Sequence, residues 1–217
     1  MTNIKIKTID LETNKKIKDT TIVSFSDTHL IDEYSLILFK KIINEIKILK
    51  PNYICFNGDL VDDTKKIIGT IDNKIIELLK ELSTIAPVIF VKGNHDVAAY
   101  QKINDTISHN FINGSFFREL KEIKNLYYLK NEYKTFNNIN FVRIEETYEN
   151  YCLEKENDKN FIKQTNKNIK FINKENNYNI ILCHSPLNIM KKELINKINI
   201  LKNIINKKSF TMIIKKI

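Results

Sequence analysis

Three short apolar runs in this chain end in polar residues that a strand interior would not carry. Ile22-Val23-Ser24-Phe25 leads into Ser26-Asp27-Thr28-His29-Leu30. Tyr53-Ile54-Cys55-Phe56 leads into Asn57-Gly58-Asp59-Leu60-Val61-Asp62, and Val88-Ile89-Phe90-Val91 into Lys92-Gly93-Asn94-His95-Asp96. Nearly continuous apolar runs of this length read as strands covered on both faces. Between the first two, Leu36, Phe39, Ile43, Ile46 and Leu49 recur at helical spacing over residues 33–49, and Pro51 closes that helix. A second helix is predicted over 72–83, with Asp72 as its cap and Ile75, Ile76, Leu78 and Leu79 facing inward. Strand, helix, strand, helix, strand predicts an α/β fold with a largely parallel sheet and right-handed crossovers. In such a sheet ligands gather at the carboxyl ends of the strands, where all three polar motifs fall.

Elsewhere the pattern changes. Residues 4–9 alternate Ile with polar residues, as a half-exposed strand does, and 10–19 read as a polar turn. Residues 97–124 read mostly as helix, broken near Asn113-Gly114. Residues 126–129, 133–136 and 139–144 read as short strands of an antiparallel meander, with a tight turn at Asn137-Asn138. The meander is expected to form a second sheet. A polar stretch over 150–177 holds a helix near 160–171. Residues 178–183 form another buried strand ending at His184-Ser185-Pro186. Residues 189–206 read as helix and 209–217 as an apolar, basic tail. No repeat or linker divides the chain, so one domain over residues 1–217 is expected.

Composition changes this picture little. The chain has 217 residues, is 42% hydrophobic and carries a formal charge of +9. Arg118 and Arg143 are its only arginines, and its lysines are spread among Asn and Ile. That distribution favours a generic solvated lysine surface over a nucleic-acid patch, which would need clustered cations. Cys55, Cys152 and Cys183 are odd in number, and two lie in apolar runs, as free thiols of a reducing compartment do. The amino terminus has no apolar core of a leader peptide, and no stretch approaches the roughly 18 apolar residues of a membrane span. A soluble, cytoplasmic protein with no membrane partner is expected.

Asp, Asn and His supply oxygen and nitrogen donors, which suit Mn²⁺, Fe²⁺ or Zn²⁺ better than a thiolate-seeking ion. One carboxylate can bridge two ions about 3.5–4 Å apart, a spacing that clamps a phosphate and activates water. Gly58 and Gly93 fit tight turns that bring strand tips together. Each motif has a bland alternative: Asp27-Thr28-His29 as a helix cap, Gly58-Asp59 as a turn, His95 as a surface turn residue, and His184 as a core histidine beside Cys183. Their ordered recurrence after three strands favours a site. His109 has no motif around it and reads as structural. Asp63 reads as solvated, Ser185 and Pro186 as shaping the turn at His184, and Tyr148 and Tyr151 as a substrate lip or as packing.

Asp27-x-His29, Gly58-Asp59-x-x-Asp62, Gly93-Asn94-His95-Asp96 and a later His184 together resemble the calcineurin-like metallophosphoesterase family, over roughly residues 20–186. The resemblance implies a sandwich of two mixed β-sheets flanked by helices. It implies a dinuclear centre with a bridging hydroxide that hydrolyses a phosphate monoester or diester. Asp27 and His29 would hold one divalent ion, Asn94 and His184 the other, and Asp59 both. His95 would act on the leaving group, Asp62 would orient it, and Asp96 would be structural. The family also carries a terminal Gly-His-x-His; this chain has no His after His184 and no Gly after Gly114. A domain incomplete at its carboxyl end is therefore expected, with fewer protein ligands, chiefly for the second ion. Two further readings follow: a degenerate homologue that binds metal or phosphate with little turnover, and a DNA nuclease of the same family. Substrate and oligomeric state have no signature in the sequence.

Overall fold

The computed structural model describes residues 4–96, 98–103, 106–111, 114–143, 177–184 and 209–215. Its main sheet has six strands. They are β1 (Lys7–Glu12), β2 (Thr20–Phe25), β3 (Tyr53–Asn57), β4 (Val88–Val91), β7 (Leu126–Tyr128) and β11 (Ser209–Lys215), in the order β1-β11-β2-β3-β4-β7. Every neighbouring pair is parallel except β1 with β11. A second sheet, β10-β9-β8, joins β8 (Tyr133–Phe136), β9 (Ile139–Arg143) and β10 (Tyr178–Leu182). There β8 runs antiparallel to β9 and β10 parallel to it. The architecture is the expected α/β sandwich of two mixed sheets with flanking helices.

The strand periodicity sorts side chains into two cores. Ile22, Tyr53, Cys55, Ile89 and Val91 point toward the second sheet and pack on Leu129, Ile139, Phe141 and Leu182. Val23, Phe25, Ile54, Phe56, Val88 and Phe90 point the other way, onto α1 (Glu33–Leu49) and α3 (Asp72–Ile85). Helix α1 buries Leu36, Phe39, Ile42, Ile43 and Ile46. It starts in a capping box: Asp32 accepts from the Ser35 amide at 2.8 Å, and the Ser35 hydroxyl accepts from the Asp32 amide at 3.0 Å. Lys50, in the left-handed region at φ 46°, ends it before Pro51. The short helix α2 (Thr64–Ile67) follows the second polar motif.

Several elements differ from the sequence reading. Residues 98–103 and 106–111 are not helix: β5 (Ala98–Ile103) and β6 (Thr106–Phe111) pair as a two-stranded sheet. Among the described residues of this stretch, helix is confined to α4 (Gly114–Glu119) and a 3₁₀ turn over Leu120–Glu122. Leu126–Tyr128 leaves the meander and extends the main sheet beside β4. The first strand lies three residues later than expected, where pairing with β11 fixes it between Lys7 and Glu12. Asp72 is the first residue of α3, not its cap; Ile71 holds the cap position without a side-chain bond. Strand β10 is half-buried for four of its five residues; among the described residues it is an edge of its sheet. The turn at Asn137-Asn138 is as expected, with φ of 45° and 66°. The helices expected at 160–171 and 189–206, together with Cys152, Tyr148, Tyr151, Ser185 and Pro186, lie outside the described residues. Cys55 is a buried free thiol and Cys183 is half-buried. Burial pushes the Cys55 thiol well above its ordinary range. Among the described residues no helix is long and apolar enough to cross a membrane.

Candidate metal centre

The parallel register of β2, β3 and β4 brings their carboxyl ends to one rim of the main sheet. The loops beyond them continue to bond to one another. The Asp27 amide donates to the Gly58 carbonyl at 3.0 Å, His29 to Asp59 at 3.0 Å, and Leu30 to Leu60 at 2.9 Å. Holding this double loop forces Asp27, His29 and Asp59 into positive φ, at 60°, 42° and 53°. Non-glycine residues adopt that region at a cost of roughly 1–3 kcal/mol, and such strain collects at functional sites. The third loop packs as closely. A Cβ on Gly58 would lie 2.4 Å from the Gly93 nitrogen, and one on Gly93 would lie 2.1 Å from Asp59 Oδ1. Glycine at both positions is what lets the backbones touch.

Asp59 sits at the centre, with its side chain 3% exposed. Oδ1 accepts from the His95 amide at 2.9 Å. Oδ2 lies 3.2 Å from His184 Nε2 and 3.6 Å from His29 Nε2. Asp27 Oδ1 is 3.9 Å from His29 Nε2, and its other oxygen accepts from the Ser26 hydroxyl. Two sets of donor atoms each lie within 4.8 Å of one another: His29, Asp59 and His95, and Asp27, Asp59 and His184. Asp59 belongs to both. Asn94 is half-buried on the same turn, between Gly93 and His95.

The ring orientations are fixed by the nitrogens that face away from Asp59. His184 Nδ1 donates to the Asn57 carbonyl at 2.8 Å, and the Asn57 amide donates to Ser24 Oγ at 2.7 Å. His95 Nδ1 donates to the Asp62 carbonyl at 3.1 Å and lies 3.3 Å from its carboxylate. Asp62 is also 3.5 Å from His29 Nδ1, and the two imidazoles meet edge to face with centroids 4.7 Å apart. Asp96 is fully buried and points away from the rim; its oxygens accept from the Val61 amide at 3.2 Å and the Gly93 amide at 2.9 Å. His109 lies on β6, away from the three loops in sequence and pairing.

These contacts set the protonation. Burial works against a charged His184, but its hydrogen bond to Asp59, the Asp59 charge and the Asn57 carbonyl outweigh it and push the imidazolium up to about 9. For Asp59, burial likewise favours the neutral form, yet the bond and charge of His184, then those of His95, hold it below the ordinary carboxylate range. Burial and then the Asp59 charge push Asp96 up to about 6, against the pull of three backbone amides. A rim with three carboxylates and three imidazoles is a donor set that a divalent cation fits. The three carboxylates repel one another until such charge is supplied.

The sequence profile of the calcineurin-like phosphoesterases matches residues 20–211. The chain belongs to that family. That family is one of phosphate-ester hydrolases that use divalent metals. Its similarity to a single relative is more local. The "Uncharacterized metallophosphoesterase YkuE" of Bacillus subtilis (strain 168) is 35% identical over 79 residues, a span covering 36% of this chain and 27% of that protein. Sequence reading of the phosphoesterase motifs missed Ser24, Asn57 and Arg143, which support the site through backbone carbonyls or through one another. Arg143 alone left a trace, as one of two arginines in a lysine-rich chain.

Proposed function

We propose that this phosphoesterase is a single domain over residues 1–217 that hydrolyses a phosphate monoester or diester at a two-ion centre built on Asp59. The observation that carries this reading is the membership of Asp59 in two donor sets. Those sets group His29 with His95 and Asp27 with His184, and so differ from the pairing the family resemblance implies. Asp27 and His29 would hold one ion, Asn94 and His184 the other, and Asp59 both. Manganese, iron and zinc all suit these donors. Bound there, the ions would neutralise phosphate charge and supply an activated water.

The remaining work falls to side chains already in place. With its Nδ1 bonded to the Asp62 carbonyl, His95 would use Nε2 to give a proton to the departing oxygen. Asp62 would fix that ring. The Asp96 carboxylate gathers the Gly93 and Val61 amides and so shapes the turn that carries Asn94 and His95. The test uses Mn²⁺ with a chromogenic phosphomonoester and phosphodiester. Asp59→Asn should remove both metal binding and turnover. His95→Ala should keep metal binding and lose about 10²–10⁴-fold in rate, less for a good leaving group. Unchanged rates in both variants would end this reading.

A further inference from the structure

The layer between the two sheets is apolar along β9 until its last residue. Ile139 and Phe141 alternate inward and pack against Ile22, Tyr53, Cys55, Ile89 and Val91. The next position in that alternation is Arg143, 1% exposed. A guanidinium stays charged in a protein and carries five donors in a rigid fork, so burial is costly unless the fork is satisfied. Here Nη2 donates to the Lys92 carbonyl at 3.0 Å, and Nη1 makes a longer bond of 3.4 Å to the Leu182 carbonyl. These two carbonyls belong to different sheets. Lys92 follows β4 and immediately precedes Gly93-Asn94-His95, while Leu182 ends β10 two residues before His184. The fork therefore joins the sheets at the rim where their side chains meet.

Composition makes the choice of residue informative. Of the 35 cationic side chains only Arg118 and Arg143 are arginine, and Arg118 is exposed. A lysine here would supply a point charge on a flexible stem, which fixes no spacing between two carbonyls. The geometry points to Arg143 as a positioning residue that sets the distance between His184, on the second sheet, and Asp59 with the Asn94-His95 turn, on the first. This rests on His184 being a metal ligand, as proposed above. Metal–ligand distances tolerate only about ±0.2 Å, so a small drift of β10 would move His184 Nε2 out of coordinating reach.

The experiment is a Mn²⁺ titration, by calorimetry and without substrate, of wild type, Arg143→Lys, His184→Ala and the double variant. Arg143→Lys should weaken Mn²⁺ binding by roughly 10–100-fold, as loss of supporting contacts to a ligand does. In the His184→Ala background the same change should cost less than about 2-fold, because the arginine acts through that histidine. An equal loss in both backgrounds would mean that Arg143 merely holds the fold, and overturns the proposal; so does wild-type affinity in Arg143→Lys. Should Arg143→Lys fail to fold, Arg143→Met, which keeps the buried stem and drops the charge, carries the same comparison. A wild type that binds no Mn²⁺ overturns the metal reading and this one together. A wild type that binds alongside an unaffected Arg143 variant overturns this one alone.

Discussion

At Gly93 the site leaves no room for one methyl group. A Cβ there would crowd Asp59 Oδ1 at 2.1 Å and the Asp59 amide nitrogen at 2.5 Å, so backbone as well as carboxylate would have to move. Gly93→Ala should lower stability by about 1–3 kcal/mol and Mn²⁺ affinity by roughly 10-fold or more. Denaturant melts and metal titration check the two effects, and wild-type affinity would show that the loops are further apart than described. The imidazole of His184 gives a second expectation, for protein kept in EDTA. Its folded pKa of about 9 lies above its ordinary 6.5, so the stability it contributes is complete below about 6.5 and is lost as pH rises through 9. The melting temperature should fall on the order of 5 °C between pH 7 and 9.5, and His184→Ala should flatten that slope. A wild-type melting temperature constant over this range would contradict the pairing with Asp59. Residues such as Asp27, Asp59 and His95 were legible because charge at the end of an apolar run has few structural reasons to be there. Asn57 and Ser24 were not: a side chain that acts through a carbonyl or a neighbouring hydroxyl leaves no spacing to read.

Elements were readable where one periodicity dominated. Helix α1 carries its apolar residues on one stripe, and its start is specified locally by Asp32 and Ser35. The Ser35 hydrogen bonds hold the Asp32 carboxyl below its usual range, which marks the cap as a working contact. Asp32→Ala should lower the melting temperature by roughly 2–4 °C and leave Mn²⁺ affinity unchanged, since the cap lies beyond the loops proposed to hold the metal. A shift in affinity would mean that α1 and the centre are coupled. The stretch containing β5 and β6 was misread because Ala98, Ala99, Ile103, Ile107 and Phe111 fit helical spacing almost as well as strand spacing. Strand β7 shows a different limit. Three apolar residues name no partner, and only tertiary pairing tells that Leu126 joins Val88 in the main sheet and not β8.

For the whole molecule, the sequence carried the fold class because strands and helices alternate over residues 20–91 and the second sheet follows in order. It could not carry the place of β11, which lies between β1 and β2 although about two hundred residues separate it from the first strand. Long-range pairing of that kind, antiparallel to β1 and parallel to β2, has no local sequence signature. The sandwich matters to function because it places His184, from one sheet, against Asp59, from the other. On the reading proposed above, that juxtaposition offers one shared carboxylate to two ions, and counting the ions tests it most directly. Titrated with Mn²⁺ after treatment with EDTA, the wild type should bind two ions per chain, and Asp59→Asn should bind neither within about 100-fold of that affinity. Two ions retained at wild-type affinity in Asp59→Asn, or a single ion in the wild type, would contradict the account.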